Sequence, residues 1–281
     1  MTFTYDSLVL RNAGYVSSET QQSIRNCRLL IAGCGIGSAL AEAAARLGFE
    51  RFIFADGDTV DNHNLNRQDY EVADIGLPKV TGLARRIRNI NPQADIQQLN
   101  EPLTPDNVDD IVASSDIVFD TIDFLDLSGI VALHDACKKH GKPMITALSV
   151  GWGGACVYFP KGTTWTFRHL FQLPETGSVD NLGYTETFAH VISKLAGVID
   201  TQVIQVVRQA LTIMEDGKPC PASQVSPGAF AVASLAATMI VRILSGLPVT
   251  EAPRMVIADM PTVLTSAGID LTDPEHKPFA P

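Results

Sequence analysis

The sequence predicts an α/β protein: a Rossmann-like, doubly wound, mostly parallel sheet with helices on both faces and a helical insertion. Three observations predict this fold. An apolar strand at residues 28–32 runs into a glycine turn, an alanine-rich helix follows at 38–47, and a second apolar strand ends at residue 55. A strand, a helix and a parallel strand in this order form the unit from which such sheets are wound.

The segments outside this unit continue the alternation of helices and strands. Residues 1–27 are polar and mixed and end in a short helix at 18–25, whereas 56–78 and 160–185 are loop-like. Hydrophobic periodicity and turn residues set the other bounds. We expect further helices at 79–89, 105–113, 127–139, 187–215 and 229–247, and further strands at 95–99, 117–119, 144–147, 155–159 and 254–258.

The chain is predicted to be a single domain over residues 1–281. Its parts are a nucleotide-binding core at 1–160, a variable helical substrate region at 161–225, and a buried helix, last strand and loose tail at 226–281. No internal repeat, low-complexity tract or linker divides them. The apolar fraction of 46% can fill a core of this size.

Charge and composition exclude several classes of function. The net charge is −10, from 21 basic and 31 acidic residues, without a run of Lys or Arg. A protein that binds the phosphate backbone needs concentrated positive charge, so nucleic acid is an unfavoured partner. The apolar stretch at 229–247 is interrupted by Arg242 and bounded by Pro and Gly, which favours a core helix over a membrane span.

The cysteine pattern bears on metal binding and location. The five cysteines are scattered and form no Cys-x-x-Cys motif, so we expect neither a disulfide scaffold nor a structural zinc site. The N-terminus lacks the basic and then apolar layout of a signal peptide, and a reducing cytoplasm is the expected location. The cysteines are Cys27, Cys34, Cys137, Cys156 and Cys220.

The glycine turn carries the first chemical signal. Gly33, Gly35 and Gly37 stand between a strand and a helix, where free N–H groups and the helix dipole favour a phosphate. The alternative is a tight turn that needs glycine only for packing. Asp56 closes the second strand, where a carboxylate can bind a ribose hydroxyl. These residues alone fit an NAD-dependent dehydrogenase as well as an ATP enzyme.

Two cations in the next loop separate these readings. Arg67 and Lys79 have little use in a nicotinamide site, but cleavage of a triphosphate to AMP and pyrophosphate needs cations to neutralise the leaving group. The alternative is that both are solvated charges. Asp123 follows a buried strand at its carboxyl end, where a carboxylate among phosphates is best explained as a Mg²⁺ ligand. The alternative is helix capping by Asp123 or Asp126.

The order of these motifs resembles the ThiF/MoeB/HesA family within the superfamily of ubiquitin-activating adenylyltransferases. The resemblance covers residues 11–160 well and continues weakly through the apolar helix at 229–246. Its motifs are the glycine turn, Asp-x-Asp-x-Val at 56–60, Asn-Leu-x-Arg-Gln at 64–68, Gly-x-Pro-Lys at 76–79, Asn-x-Asn-Pro at 89–92 and Asp-x-x-Asp at 120–123.

The resemblance implies a role for each matching residue. Asp56 would hold the ribose; Asn64, Arg67 and Lys79 would contact the phosphates; and Asp123 would bind Mg²⁺. Asp58 and Gln68 belong to the same motifs and are assigned to the ATP site. Family members are commonly homodimers, in which an N-terminal arginine reaches the ATP of the neighbouring subunit, and Arg11 is the matching position.

The implied activity is ATP-dependent adenylylation of a carboxylate, with release of pyrophosphate. The expected acceptor is the C-terminus, often a glycine, of a small ubiquitin-like or sulfur-carrier protein, or of a peptide. Two other readings stay open: a dehydratase or cyclase that acts on a small-molecule or tRNA-borne carboxylate, and a non-catalytic nucleotide-binding scaffold. An NAD-linked oxidoreductase leaves Arg67 and Lys79 unexplained.

The sequence departs from the family pattern at several points. The glycine turn is one residue shorter than usual, and residues 124–128 lack the arginine that often follows the second aspartate. Cys220 lies beside Lys218, which would favour its thiolate, and could act as a nucleophile or be incidental. Of the six histidines, only His63 lies in the nucleotide loop.

Overall fold

Seven strands in the described part of the chain form one sheet, in the order β3-β2-β1-β4-β5-β6-β7. The computed structural model describes residues 2–179, 182, 184–216, 218 and 223–266, and only the backbone of 184–189. The strands are β1 (Arg28–Ala32), β2 (Arg51–Ala55), β3 (Asp95–Leu99), β4 (Ile117–Asp120), β5 (Met144–Val150), β6 (Gly153–Phe159) and β7 (Val256–Ala258).

The first five strands of the chain are parallel, and β6 and β7 pair antiparallel at one edge. The chain winds outward from β1 to β2 and β3, then returns to place β4 on the other side of β1. The winding direction therefore reverses between β1 and β4. Open α/β sheets bind ligands at such a point, outside the carboxyl ends of the strands.

Helices cover both faces of the sheet, as the sequence predicts. The helices are α1 (Tyr5–Val9), α2 (Ser18–Asn26), α3 (Gly37–Leu47), α4 (Lys79–Ile90), α5 (Val108–Ala113), α6 (Leu127–His140), α7 (Phe167–Leu170), α8 (Tyr184–Leu195), α9 (Thr201–Glu215), α10 (Ser226–Leu244) and α11 (Met260–Ser266). Alternate residues of β1 face opposite cores: Leu29 and Ile31 pack with α3, α4 and α10, and Leu30 and Ala32 pack with α5 and α6.

Helix α10 packs one face against β5, β6 and α3. By length and composition it is long and apolar enough to cross a membrane, and it is the one such helix in the described ranges. Its buried face includes Val232, Ala236 and Ile240, which join the core between the sheet and α3. Its other face is open, and Phe230 on it is 57% exposed.

A buried polar network ties β4, β5 and α6 together behind the carboxyl edge. Oδ2 of Asp120 lies 3.2 Å from Nε2 of His134 and accepts a 3.0 Å hydrogen bond from the Thr146 hydroxyl. Nδ1 of His134 accepts a 3.3 Å hydrogen bond from the backbone N–H of Phe167. Because Nδ1 is an acceptor, the proton of a neutral imidazole lies on Nε2, facing Asp120.

The structure corrects several expected bounds. The helical region expected at 187–215 is two helices, because Gly197 takes φ +85° and Asp200 caps the start of α9. Short helices also form at α1 and α7, in segments expected to be irregular, and α11 forms in the expected loose tail. The helix expected at 105–113 begins at Val108, and the strand expected at 254–258 begins at Val256.

Candidate active site

The glycine turn lies against the segment that follows β4. Gly33 has φ +90°, and a Cβ there would come within 2.3 Å of the carbonyl oxygen of Thr121. At Gly37 a Cβ would lie 2.5 Å from the Thr121 hydroxyl. That hydroxyl donates to the carbonyl oxygens of Ala32 and Gly33. The glycines therefore allow the turn to pack closely against the end of β4. This contact is also expected if the turn needs glycine only for packing.

The start of α3 supports anion binding as well as packing. Ile36 is the N-cap, and no side chain caps the first N–H groups of α3. Uncapped N–H groups and the positive end of the helix dipole face the crevice beyond the sheet. Gly35 stands over the amide of Gln68, and a Cβ at Gly35 would lie 3.3 Å from its Nε2. The turn is thus a backbone cradle that is open to a phosphate.

Asp56 connects the glycine turn to the loop after β2. Its Oδ2 accepts a 2.6 Å hydrogen bond from the Cys34 N–H, and its Oδ1 accepts a 2.8 Å bond from the Asp58 N–H. Burial raises the pKa of Asp56, and the ammonium of Lys79 acts in the opposite direction. Each carboxylate oxygen can accept a further hydrogen bond, so the expected ribose contact is compatible with these two.

Lys79 is a buried cation. It is the first residue of α4, directly after Pro78, and its side chain is only 9% exposed. Its Nζ lies 2.6 Å from Oδ2 of Asp58 and 3.9 Å from Oδ2 of Asp56. The alternative of a freely solvated charge is therefore wrong for Lys79. A buried charge of this kind is retained where paired carboxylates or a ligand compensate for its desolvation.

Arg67 directly precedes Gln68, the residue whose side-chain amide lies beside Gly35 of the glycine turn. Its Nε donates a 2.6 Å hydrogen bond to Oε1 of Gln224, and its Nη1 donates to the His63 carbonyl and to Oδ1 of Asn66. Burial lowers the pKa of Arg67, and the negative charge of Asp123 acts in the opposite direction. Arg67 is thus half-buried, held in place, and within the electrostatic reach of Asp123.

Gln68 and Asn64 form the floor of the same loop. Oε1 of Gln68 is buried and has no hydrogen-bond partner among the residues that the structure describes. Oδ1 of Asn64 accepts a 2.9 Å hydrogen bond from the N–H of Asp61. A buried acceptor without a partner is costly, and a hydroxyl or an amine from a bound ligand would satisfy it. Together with the backbone cradle, this orphaned oxygen fits a nucleotide at the site.

Asp123 is exposed beyond β4, and its Oδ1 accepts a 3.0 Å hydrogen bond from the N–H of Leu125. Helix α6 is capped by Asp126 and not by Asp123, which resolves the capping alternative. In the described residues, no cluster of three or more His, Cys, Asp or Glu side chains could hold a metal. One carboxylate still fits Mg²⁺, which commonly takes its other ligands from phosphates and water.

One expected residue, Arg11, lies away from this crevice. Arg11 is exposed in a short 3-10 helix, and its neighbour Asn12 donates to the Leu47 carbonyl at the far end of α3. The eleven-residue α3 spans about 16 Å, so Arg11 does not meet the glycine turn of its own chain. His63 is exposed beside Asp61. Cys220 lies outside the described residues.

A cavity of about 580 Å³ opens beside Asp123. Asp123 and Gln224 line it on the side of the cations, and the end of β5, α8 and α9 line most of the rest. Sequence reasoning did not find Gln224, because no motif connects residue 224 with residue 67. The glycine at 197 and the aspartate at 200 signal the helix break that shapes this cavity.

The crevice defines a class of protein: a doubly wound α/β protein with a phosphate cradle, two fixed cations and an acidic residue at the switch point of the sheet. The sequence profile of the ThiF family matches residues 9–274. The chain belongs to the ThiF family.

Individual relatives agree with this assignment. The SAMP-activating enzyme E1 of Haloferax volcanii is 28% identical over 207 residues, which are 72% of this chain and 73% of that protein. The sulfur carrier protein ThiS adenylyltransferase of Bacillus subtilis is 30% identical over 209 residues, which are 71% of this chain and 57% of that protein. The crystal structure of Escherichia coli MccB with ATP has a TM-score of 0.61 at 18% identity, covering 91% of this chain and 71% of that one, and supports the fold.

Proposed function

We propose that this protein is an ATP-dependent adenylyltransferase that activates a carboxylate as an acyl-adenylate. The observation that carries the proposal is the placement of two cations near the glycine turn. Lys79 lies 3.9 Å from Asp56, which binds the N–H of Cys34 in the turn. Arg67 lies near Asp123. Two cations held at a phosphate cradle suit the cleavage of a triphosphate. The names of the adenylyltransferase relatives support the same reaction class.

The reaction balances without an added oxidant or proton donor. A carboxylate oxygen of the acceptor attacks the α-phosphorus of ATP, and the bond from that phosphorus to the bridging oxygen of the β-phosphate breaks. Pyrophosphate leaves with the bonding electrons, and AMP remains joined to the acyl group. Arg67 and Lys79 would stabilise the negative charge that grows on the leaving group.

We propose that the nucleotide is held by residues on both sides of the cradle. The N–H groups at the start of α3 would meet the phosphates, Asp56 would hold the ribose, and Asn64 and Gln68 would contribute polar atoms from the loop floor. Asp123 would hold Mg²⁺, which when bound neutralises phosphate charge. Asp58 pairs with Lys79 and would fix its position until a phosphate competes for it.

We propose a polypeptide C-terminus as the acceptor carboxylate. The relatives named for SAMP activation and for the sulfur carrier protein ThiS support an acceptor of this class. The acidic net charge does not favour a tRNA-borne acceptor. A cytoplasmic location is part of the same proposal and is supported by the scattered cysteines, of which the four described ones are free.

We also propose a homodimer, formed through the open face of α10. Tyr15 is 95% exposed and Phe230 is 57% exposed, and both line a groove of about 910 Å³ between α3, α10 and the N-terminal segment. Exposed apolar side chains bordered by charged groups, here Glu42, Arg46 and Arg242 of the same groove, commonly mark an interface. Because Arg11 lies in that N-terminal segment, a partner subunit could bring its arginine to this chain's ATP. Sedimentation of the wild type and of Phe230→Glu tests the dimer.

The reaction is tested by exchange of labelled pyrophosphate into ATP. Short synthetic peptides with a free C-terminal carboxylate should support exchange, and the same peptides with a C-terminal amide should not. Asp123→Asn keeps an acceptor for the Leu125 N–H and removes the charge, so exchange should fall at least 100-fold with folding unchanged. Asp110→Asn, at an exposed position of α5, is the matched control.

The scaffold alternative makes a different prediction. A non-catalytic subunit would bind ATP in a calorimetric titration. It would not exchange pyrophosphate, whichever acceptor was added. Retention of full exchange by Asp123→Asn would overturn the metal assignment. Exchange supported equally by the amidated peptides would overturn the carboxylate acceptor.

A further inference from the structure

The cavity beside Asp123 is larger and more apolar than a C-terminal diglycine needs. Its α9 wall presents Val203, Val207, Leu211 and Met214, and its total volume is about 580 Å³. Cavities of this size hold drug-sized molecules, and an apolar lining gains free energy only when apolar groups replace water. A pair of glycines has no side chain to place there.

The cavity is continuous with the catalytic crevice. Asp123, the proposed Mg²⁺ ligand, lines it. Gln224 also lines the cavity and accepts the hydrogen bond from Arg67, so one side chain borders both the cation and the cavity. A ligand that fills the cavity and carries a carboxylate at its outer end would present that carboxylate beside Asp123.

The end of β5 offers a place for an extended chain. Pairing between β4 and β5 stops at Asp120 and Thr146, whereas β5 continues to Val150 with β6 on its other side. In the described part of the chain no strand covers the β4 side of residues 147–150. Leu148 and Val150 at this edge line the cavity. The backbone groups of an open strand edge can form hydrogen bonds with the backbone of an extended peptide. A fatty acid has no amide groups along its chain and cannot form these hydrogen bonds.

We propose that this cavity binds the last residues of a polypeptide acceptor and selects a bulky apolar C-terminal residue over glycine. The proposal rests on the proposed adenylyltransferase function and narrows its substrate class. The acceptor backbone lies along the end of β5, its terminal side chain packs against α9, and its carboxylate meets the site at Asp123.

Two short synthetic peptides that differ only in their last two residues, Leu-Phe or Gly-Gly, test the selection directly. Trp152 lines the cavity and its Nε1 donates to Gln202, so its fluorescence reports binding without any reaction. Burial of a large apolar side chain should make the Leu-Phe peptide bind roughly 10- to 100-fold more tightly than the Gly-Gly peptide. Trp152→Phe should abolish the signal.

A matched pair of variants on α9 locates the site. Ala210 lines the cavity, and Ala210→Phe should fill it and weaken binding of the Leu-Phe peptide at least 10-fold. Gln209 is exposed on the same helix and is not part of the lining, so Gln209→Phe should bind as the wild type does. The comparison of the two peptides on the wild type stands even if Ala210→Phe fails to fold.

The outcomes distinguish a failure of this cavity assignment from a failure of the proposed adenylylation reaction. Selective binding of the Leu-Phe peptide without pyrophosphate exchange would support the cavity assignment and count against adenylylation. Exchange that is equal with both peptides, or faster with Gly-Gly, would overturn the apolar selection while leaving the reaction intact. Octanoate that binds as tightly as the Leu-Phe peptide would overturn the assignment to a polypeptide.

Discussion

Gln224 accepts a 2.6 Å hydrogen bond from Nε of Arg67, across 157 positions of sequence. The backbone carbonyl of Gln224 also accepts a 3.0 Å bond from Nδ2 of Asn66. The segment before α10 is therefore fastened to the loop that carries the arginine. Because Gln224 also lines the apolar cavity, the position of the cation and the shape of the acceptor site depend on the same side chain.

Removal of this hydrogen bond should weaken ATP use without unfolding the protein. A hydrogen bond to a charged group stabilises by about 1.5 kcal/mol, so Gln224→Ala should raise KM for ATP roughly tenfold in pyrophosphate exchange. Gln202→Ala is the control, because Gln202 lines the same cavity but bonds to Trp152. Equal effects of the two variants would mean that Gln224 acts only through the cavity.

Lys79 should affect turnover more than ATP binding. Lys79→Met removes a cation from the leaving-group side of the cradle, and kcat for exchange should fall at least 100-fold. Lys139→Met removes an exposed lysine that pairs with Asp109 and should leave kcat unchanged. If Lys79→Met lowers only the melting temperature, Lys79 is a structural partner of Asp58.

Substitutions in the glycine turn should distinguish a glycine that is needed for folding from one that is needed for ATP binding. Gly33→Ala combines a positive φ with a 2.3 Å approach to the carbonyl of Thr121, so it should cost more than about 2 kcal/mol and lower the melting temperature by several degrees. Gly35→Ala meets only the side-chain amide of Gln68, at 3.3 Å, and should keep its melting temperature.

ATP affinity gives the complementary readout for Gly35→Ala. The added methyl group meets the amide of Gln68, which we propose contributes a polar atom to the nucleotide site, so calorimetric affinity for ATP should fall about tenfold although the fold is intact. Unchanged affinity for ATP would mean that Gly35 is needed only for the packing of the turn and not for phosphate binding.

Asp69 should make stability depend on pH. Burial raises its pKa above the ordinary value of 3.8, and the nearby charge of Glu42 adds to the effect. The folded state then holds this proton more tightly than the unfolded state, so stability falls as pH rises through the folded pKa. Asp69→Asn should raise the melting temperature at neutral pH. The difference in melting temperature between variant and wild type should vanish below pH 3.8, the ordinary pKa of the carboxyl group.

The control for this pH dependence is Glu101→Gln, at an exposed position. Thermal unfolding followed by circular dichroism across the acidic range gives the comparison. An increase in the melting temperature of Asp69→Asn that persists unchanged at low pH would show that packing, and not ionisation, causes the difference from the wild type.

The apolar runs of β1 and β2 predict those strands with the bounds that the structure has, because both faces of each strand are buried. The motifs also place Asp56 and Lys79 together, because α4 begins at the edge of the sheet where β2 ends. Long-range contacts leave no such pattern. Gln224 meets Arg67 only through tertiary packing, and apolar Val198 and Ile199 continue the helical periodicity across the break between α8 and α9.

The burial of the four described cysteines protects their thiols from reagents in the native protein. All four described cysteines are buried, and burial raises the pKa of Cys27 and of Cys156 to about 12. At neutral pH an alkylating label can reach these thiols only when the surrounding structure opens. The rate at which they become labelled therefore measures spontaneous opening of the sheet and its helices, and a ligand that slows this labelling can be found without knowledge of its chemistry.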